Sequence, residues 1–326
     1  MIDVSIICLT YNHKDFIRKA LDGFVNQKTN FDYEVIVHDD ASTDGTDEVI
    51  KEYELAYPQK IKGLYEKENQ FSKGMNIVDD IIFPRTKGKY IAFCESDDYW
   101  CDEYKLQKQF DFMELHKSCS LCVHNTVIHD LEKIDKDKLF FGWKDIHILN
   151  ESEIFLEWKV HTSSYFFRRE SVRYTSVLPK VWCGDYALLV YAFSKGKVIA
   201  LPDVMSIYNA HNKSGETWKN RNLENKIERN KERANFLRKY NQYTLKKYEN
   251  VILERIKQIE YENVLLDFEK KMQQKENYKE YKNNANEVLN NTKFSEYINS
   301  VCKKEKIKKQ LTLHSYFIYK IRNLLR

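Results

Sequence analysis

Three carboxylates fall within four residues, Glu95, Asp97 and Asp98, directly after the apolar run Tyr90–Cys94. Neighbouring anions repel, so folding alone gives no reason to collect them. A divalent cation shared with a phosphate-bearing ligand does, because hard cations take carboxylate and phosphate oxygens. A plainer use of Ser96-Asp97-Asp98 is an exposed turn that caps a helix starting near Asp102. A second acidic group, His38-Asp39-Asp40, follows another apolar run, Tyr33–Val37. A further carboxylate, Asp185, stands after Gly184 at the mouth of the apolar stretch Tyr186–Phe193. Its position suits the N-terminal cap of that stretch as a helix.

The elements that must position these groups alternate. Val4–Leu9 reads as a strand buried on both faces, and Thr10-Tyr11-Asn12 is a polar break after it. From Lys14, Phe16, Ile17, Ala20, Leu21, Phe24 and Val25 have helical spacing, with Asn12 as the expected cap. Tyr33–Val37 is a second strand, and a helix starts near Thr46 with Val49, Ile50 and Tyr53 on one face. Ile61–Tyr65 is a third strand, Ser72-Lys73-Gly74 a loop, and Met75–Phe83 a helix ended by Pro84. This alternation argues for an α/β fold: a mostly parallel central sheet flanked by helices, with both acidic groups at one edge. Ligands of such sheets sit beyond the carboxyl ends of the strands. Neither G-x-G-x-x-G nor G-x-x-x-x-G-K-[ST] occurs, so neutralising phosphate charge falls to a metal. Further on, Ser120–Ile128, Tyr165–Phe167 and Val198–Pro202 read as strands, and residues 129–150 as a loop region.

Hydrophobic residues make up 42% of the 326, enough for a sizeable core, while only 9 Gly and 4 Pro argue against a linker-rich chain. The net charge of +4 hides an asymmetry: residues 219–326 hold 26 Lys and Arg against 14 Asp and Glu. Such a region attracts anionic lipid, nucleic acid or another polyanion. Two or three helices are expected from about 220 to 290. The terminal stretch 303–326 suits an amphipathic helix on an anionic membrane, or one docked on its own domain or a partner. Seven scattered cysteines fit reduced thiols. Cys119-x-x-Cys122 with His124 and His129 has the shape of a zinc knuckle, but its strand-like context sends successive side chains to opposite faces. With no basic leader and no apolar run of ~18–20 residues, the protein is expected in the cytoplasm, with peripheral contact at the inner face of the membrane.

SIICLTYNHKDFIRKALDGFVNQ, YEVIVHDDASTDGT and YIAFCESDDYW, in this order and spacing, resemble a family 2 glycosyltransferase with the GT-A fold. The variant with CE-x-DDYW followed by Lys105-Leu106-Gln107-Lys108-Gln109 is the best match, and the resemblance covers roughly residues 3–215. It implies a catalytic domain over 1–218, with a nucleotide-sugar half (1–100) and an acceptor half (101–218), and leaves 219–326 as a basic helical extension. It further implies an inverting transfer from a nucleotide-sugar donor, UDP-linked, to a glycan or lipid-linked glycan acceptor of the bacterial surface, with no nucleic acid partner. Thr10, Tyr11 and Asn12 correspond to the segment that closes around the base, and Asp40 to the carboxylate that meets uracil, with capping of the Thr46 helix as its other use. Asp97 corresponds to the residue near the ribose and Asp98 to the ligand of Mn2+ or Mg2+. Glu95 stands where many relatives have Asp. Asp185 corresponds to the general base. Lys73 is either a phosphate contact or a solvated loop lysine. His211, in Tyr208-Asn209-Ala210-His211, resembles a histidine that lies over the donor diphosphate or its metal; a surface histidine is the other reading. The rival functions are a metal-dependent nucleotidyltransferase or phosphohydrolase, and a non-catalytic basic scaffold for membrane or nucleic acid.

Overall fold

The computed structural model describes residues 2–132, 137–157, 159–172, 178, 181, 184–212 and 222–273. The first part alternates as expected: β1 (Ile2–Thr10), α1 (Lys14–Val25), β2 (Asp32–Asp39), α2 (Thr46–Ala56), β3 (Ile61–Tyr65) and β4 (Tyr90–Phe93). There follow β5 (Tyr99–Trp100), α3 (Lys105–Leu115), β6 (Cys119–Asp130), β7 (Lys138–Leu139), β8 (His147–Ile148), β9 (Phe166–Arg168), α4 (Gly184–Lys195) and β10 (Lys197–Ala210). Two long helices, α5 (Leu223–Tyr243) and α6 (Glu249–Gln273), come last among the described residues.

The described strands form one sheet in the order β3-β2-β1-β4-β9-β6-β10-β5, with β7 on β6 and β8 on β10. β1 pairs in parallel with both β2 and β4, so Asp39-Asp40 and Glu95–Asp98 emerge at the same edge. β6 and β10 are also parallel, whereas β9 runs antiparallel between β4 and β6. Val4, Ile6, Ile7 and Cys8 are fully buried, as a strand covered on both faces requires. α1 lays Ile17, Ala20, Leu21, Phe24 and Val25 on the sheet. Phe24 meets Trp100 edge-on at 4.8 Å, and Gly23 makes that approach possible: a Cβ there would stand 2.9 Å from the Trp100 carbonyl oxygen.

Three local expectations change. Met75–Phe83 is not a regular helix but a wide π-type turn, Ile77–Ile82, followed by a tight turn, Phe83–Arg85, that contains Pro84. Proline lacks an N–H and fits a first turn, where that donor is unused. The region 129–150 carries two short strands, β7 and β8, which extend the sheet beside β6 and β10. Asn12 does not cap α1; its actual partners belong to the site.

The chain divides into two compact units. The first holds residues 1–219 together with Lys239–Val251, which Tyr240 ties in by donating its hydroxyl to the Val190 carbonyl at 2.7 Å. Among described residues, the second holds α5 as far as Arg238 and α6 from Ile252. Inside it, Arg238 pairs with Glu260 at 2.8 Å and Asn230 donates to Asn263 at 3.0 Å. The amphipathic stretch 303–326 lies outside the described residues. Among the described residues, no helix is long and apolar enough to cross a membrane.

Candidate active site

Two loops at the carboxyl edge build one side of the site and hold each other. Asn12 has φ 58°, a left-handed backbone that Asn tolerates. Its N–H donates to Ser42 Oγ and its Oδ1 accepts from the Thr43 N–H, both at 2.8 Å. The start of α1 is satisfied from the same loop: His13 N–H donates to Thr46 Oγ1 at 2.9 Å and Lys14 N–H to Asp44 Oδ2 at 3.0 Å. Gly45 turns this loop at φ 89°, where a side chain would be strained and would press on Lys14 Nζ.

Asp44, not Asp40, serves the start of α2, accepting from Thr46 N–H at 3.0 Å and from its Oγ1 at 2.6 Å. Asp40 is buried and accepts from the N–H groups of Gln70 (2.6 Å) and Phe71 (3.1 Å), which draws residues 69–73 over the loop. Thr10 Oγ1 is buried at the end of β1 with no hydrogen-bond partner, and Tyr11 beside it is partly buried. Lys73 lies in the short turn Phe71–Lys73, half-exposed and paired with Glu68.

The acidic cluster does not cap α3. No side chain does: Asp102 accepts from the Tyr104 N–H at 2.8 Å, in the turn just before the helix starts. Asp98 is instead buried against β10, its Oδ1 accepting from the Asn209 N–H at 3.0 Å. Asp97 accepts from Asn209 Nδ2 through its carbonyl (2.6 Å) and from Asn212 Nδ2 through Oδ2 (3.1 Å), and lies 3.9 Å from His13 Nε2. His13 Nδ1 is 2.7 Å from Ser96 Oγ. Glu95 is exposed. Burial, reinforced by the charges of Asp97 and Glu95, pushes the Asp98 carboxyl well above its usual range.

Beside Asp98 stands His161, with Nε2 3.8 Å from Asp98 Oδ2. Burial pushes this imidazole down to about 3, so the contact joins a neutral ring to the carboxyl and is no ion pair. The ring stacks on Tyr208 at 4.3 Å and meets Phe140 edge-on at 5.4 Å. The next residue, Thr162, donates its hydroxyl to Asp185 Oδ2 at 3.0 Å, while Asp185 Oδ1 accepts from the Tyr186 N–H at 2.9 Å. Asp185 therefore faces both its own helix and the 161–164 turn. The Tyr208 hydroxyl is raised to about 12 by burial and then by the charges of Asp98, Asp97, Glu95 and Asp185. His211 sits at φ 63° with Nδ1 2.8 Å from Asp130 Oδ1; the imidazole next to Asp98 is His161. Sequence reasoning left out His13, His161, Thr162, Asn209 and Asn212. Only His13, Asn209 and Asn212 lie in or beside motif residues that could have flagged them.

Among the described residues, no group of three or more His, Cys, Asp and Glu is arranged to hold a metal. The donor set fits a hard cation that takes its other oxygens from phosphate. One buried carboxylate whose proton affinity is raised by two neighbouring acids is relieved by positive charge, and Mg2+-like ions need only one or two carboxylates beside phosphates.

The sheet order and the acids at its carboxyl edge define a GT-A glycosyltransferase fold. The mannosyltransferase PcManGT of Pyrobaculum calidifontis, solved with GDP-Man and Mn2+, superposes with a TM-score of 0.54 over 81% of this chain and 71% of that one, at 16% identity. The chain belongs to glycosyl transferase family 2, whose model matches residues 5–175. An uncharacterised protein of Mycobacterium tuberculosis is 34% identical over 209 residues, 64% of this chain and 59% of that protein. The UDP-Glc:alpha-D-GlcNAc-diphosphoundecaprenol beta-1,3-glucosyltransferase WfaP of Escherichia coli is 30% identical over 194 residues, 59% of this chain and 71% of that one. The chain thus spans about 59% of the length of the mycobacterial relative.

Proposed function

We propose that this glycosyltransferase moves a sugar with inversion from a UDP-linked donor to a hydroxyl of a lipid-linked or surface glycan. The carrying observation is the 161–164 turn, which touches Asp98 through His161 and Asp185 through Thr162. Two acids in different environments then divide the work. Asp98, with His161 alongside, would hold Mn2+ or Mg2+. When bound, the cation offsets charge growing on the leaving diphosphate as a Lewis acid. Asp185 takes the proton of the attacking hydroxyl, a role worth typically ~10²–10⁴-fold. Attack opposite the leaving group inverts the anomeric carbon without a covalent intermediate.

Donor recognition is assigned to the paired loops. Thr10, Tyr11 and Asn12 close on the base, Asp40 accepts from uracil N3, and Asp97 contacts the ribose. The buried, unpartnered Thr10 Oγ1 supports a ligand on this side. Lys73, paired with Glu68, has no part in this reading. The UDP donor and lipid-linked acceptor in the WfaP name support those choices, and Mn2+ in the PcManGT complex supports the cation.

The test is a panel of UDP-, GDP- and dTDP-sugars with Mn2+, scored by thermal shift and donor hydrolysis, followed by Asp185→Asn with the selected donor. UDP-sugars are expected to stabilise the protein, and Asp185→Asn to bind them normally while losing ~10²–10⁴ in transfer. Asparagine still accepts from the Tyr186 N–H, so a capping role alone predicts near-normal turnover, and that result would remove Asp185 from the mechanism.

A further inference from the structure

The segment Lys105–Gln109 lies beneath the 161–164 turn, and its polar side chains are in the wrong place for a surface helix. Lys105 and Gln109, one helical turn apart on α3, are both fully buried. A buried ammonium is tolerated only with partners. Lys105 Nζ has two: Gln109 Oε1 at 2.6 Å and the indole face of Trp100 at 4.0 Å. The charged ammonium can only donate, so it holds the Gln109 amide with oxygen toward Nζ and nitrogen away. That nitrogen donates to the carbonyls of Cys122 (3.0 Å) and Ser164 (2.9 Å). The other partner of Lys105 grips the adjacent carbonyl: Trp100 Nε1 donates to Ser163 O at 2.9 Å. Consecutive carbonyls of one short turn are therefore held by the two side chains that Lys105 touches. The same turn carries His161 and Thr162 toward Asp98 and Asp185. Ser163 Oγ completes the brace, 2.9 Å from His161 Nδ1 and 2.8 Å from Ser206 Oγ.

We propose that Gln109, oriented by Lys105, is a positioning residue for sugar transfer: it sets the height of the 161–164 turn and, through Thr162, the placement of Asp185. The inference rests on Asp185 being the base. Reacting groups misplaced by about 1 Å lose on the order of 10²-fold in rate, so a lost brace is read in turnover before it is read in donor binding.

The test is a double-mutant cycle in the full chain with Gln109→Met and Thr162→Val, alone and combined, measuring kcat, KM for acceptor, and UDP-sugar affinity. Gln109→Met conserves volume and removes both donors. It is expected to lower kcat by roughly 10–100-fold with donor affinity within about twofold, and the double variant to lose no more than the worse single one. Gln109→Glu covers the case in which the methionine variant does not fold. It keeps a partner for Lys105 but offers nothing to Ser164 O, so it is expected to show the same kcat loss and the same lack of additivity with Thr162→Val. Unchanged kcat, or losses that multiply in the double variant, would overturn the positioning role. Asp185→Asn separates the two ideas. If it is inactive while the cycle is additive, only the positioning role falls; if it is near normal, the base assignment falls and takes the positioning role with it.

Discussion

Replacing Lys105 by methionine isolates the cost of a buried charge. Burial pushes the Lys105 ammonium from 10.5 down to about 7, against the smaller opposing pull of neighbouring groups. That gap corresponds to roughly 5 kcal/mol of destabilisation whenever the group is forced to stay charged. The sign follows from linkage. Between pH 7 and 10.5 the unfolded chain binds the proton more tightly than the folded one, so the stability of the wild type rises with pH across this window. Methionine has no such dependence. It removes the penalty, but it leaves Gln109 Oε1 without a donor, costing ~1–3 kcal/mol, and it removes the ammonium–indole contact, worth up to ~2 kcal/mol. These terms oppose one another, and the diagnostic quantity is the slope. From pH 7 to 9 the wild type is expected to gain about 2 kcal/mol on Lys105→Met. Asp102 also acts on Lys105, and three other neighbours stay out of the pH 7–9 window: burial raises the Cys94 and Cys122 thiols well above their usual range and depresses His124 well below its own. Urea unfolding of both proteins at pH 7, 8 and 9 is the assay. A stability difference that stays flat across the three pH values would refute the reasoning.

Two further outcomes follow from the site. Asp98→Asn keeps the hydrogen bond from the Asn209 N–H but removes the anion, so the Mn2+-dependent part of UDP binding, measured by calorimetry with and without the ion, is expected to vanish; an unchanged Mn2+ effect would move the cation elsewhere. His161→Ala removes the stack on Tyr208 and the contact with Ser163 and is expected to lower kcat at least ~10-fold, while His211→Ala, at a half-exposed position paired with Asp130, stays within about twofold; the reverse order would return His211 to the centre.

The acidic carboxyl edge of the sheet was legible because it is local. An apolar strand, a short polar loop and a helix recur, and each loop carries its chemistry within a few residues of the strand end, as at Asp39-Asp40 and Asp97-Asp98. Capping was misassigned for the same reason it was attempted: the rule looks along the chain, whereas the amides of His13 and Lys14 are satisfied from Thr46 and Asp44, about thirty positions away. The helix expected at Met75–Phe83 failed because apolar spacing does not distinguish a regular helix from the wider turn at Ile77–Ile82. His161 carried no signal of its own. A histidine before Thr-Ser-Ser reads as loop, and only the sheet shows where that loop goes.

The sheet does so by one reversal. β9 runs antiparallel to β4, with Ala92 opposite Phe166, and the Phe93 N–H donates to the Tyr165 carbonyl at 3.2 Å. The residues that precede β9 are therefore delivered to the end that β4 reaches last, which is where Glu95–Asp98 begins. Had β9 joined in parallel, the 161–164 turn would lie at the opposite edge, away from every acid in the site. β10, parallel to β6 and antiparallel to β5, ends at the same edge and supplies Asn209 to both Asp97 and Asp98. A strand of three residues, Phe166–Arg168, thus accounts for the meeting of the 161–164 turn with the acidic loop after β4. Its length explains why the buried grip of Gln109 and Trp100 on Ser164 and Ser163 matters: three ladder positions fix the direction of the chain, and the carbonyl contacts beneath the turn fix its height.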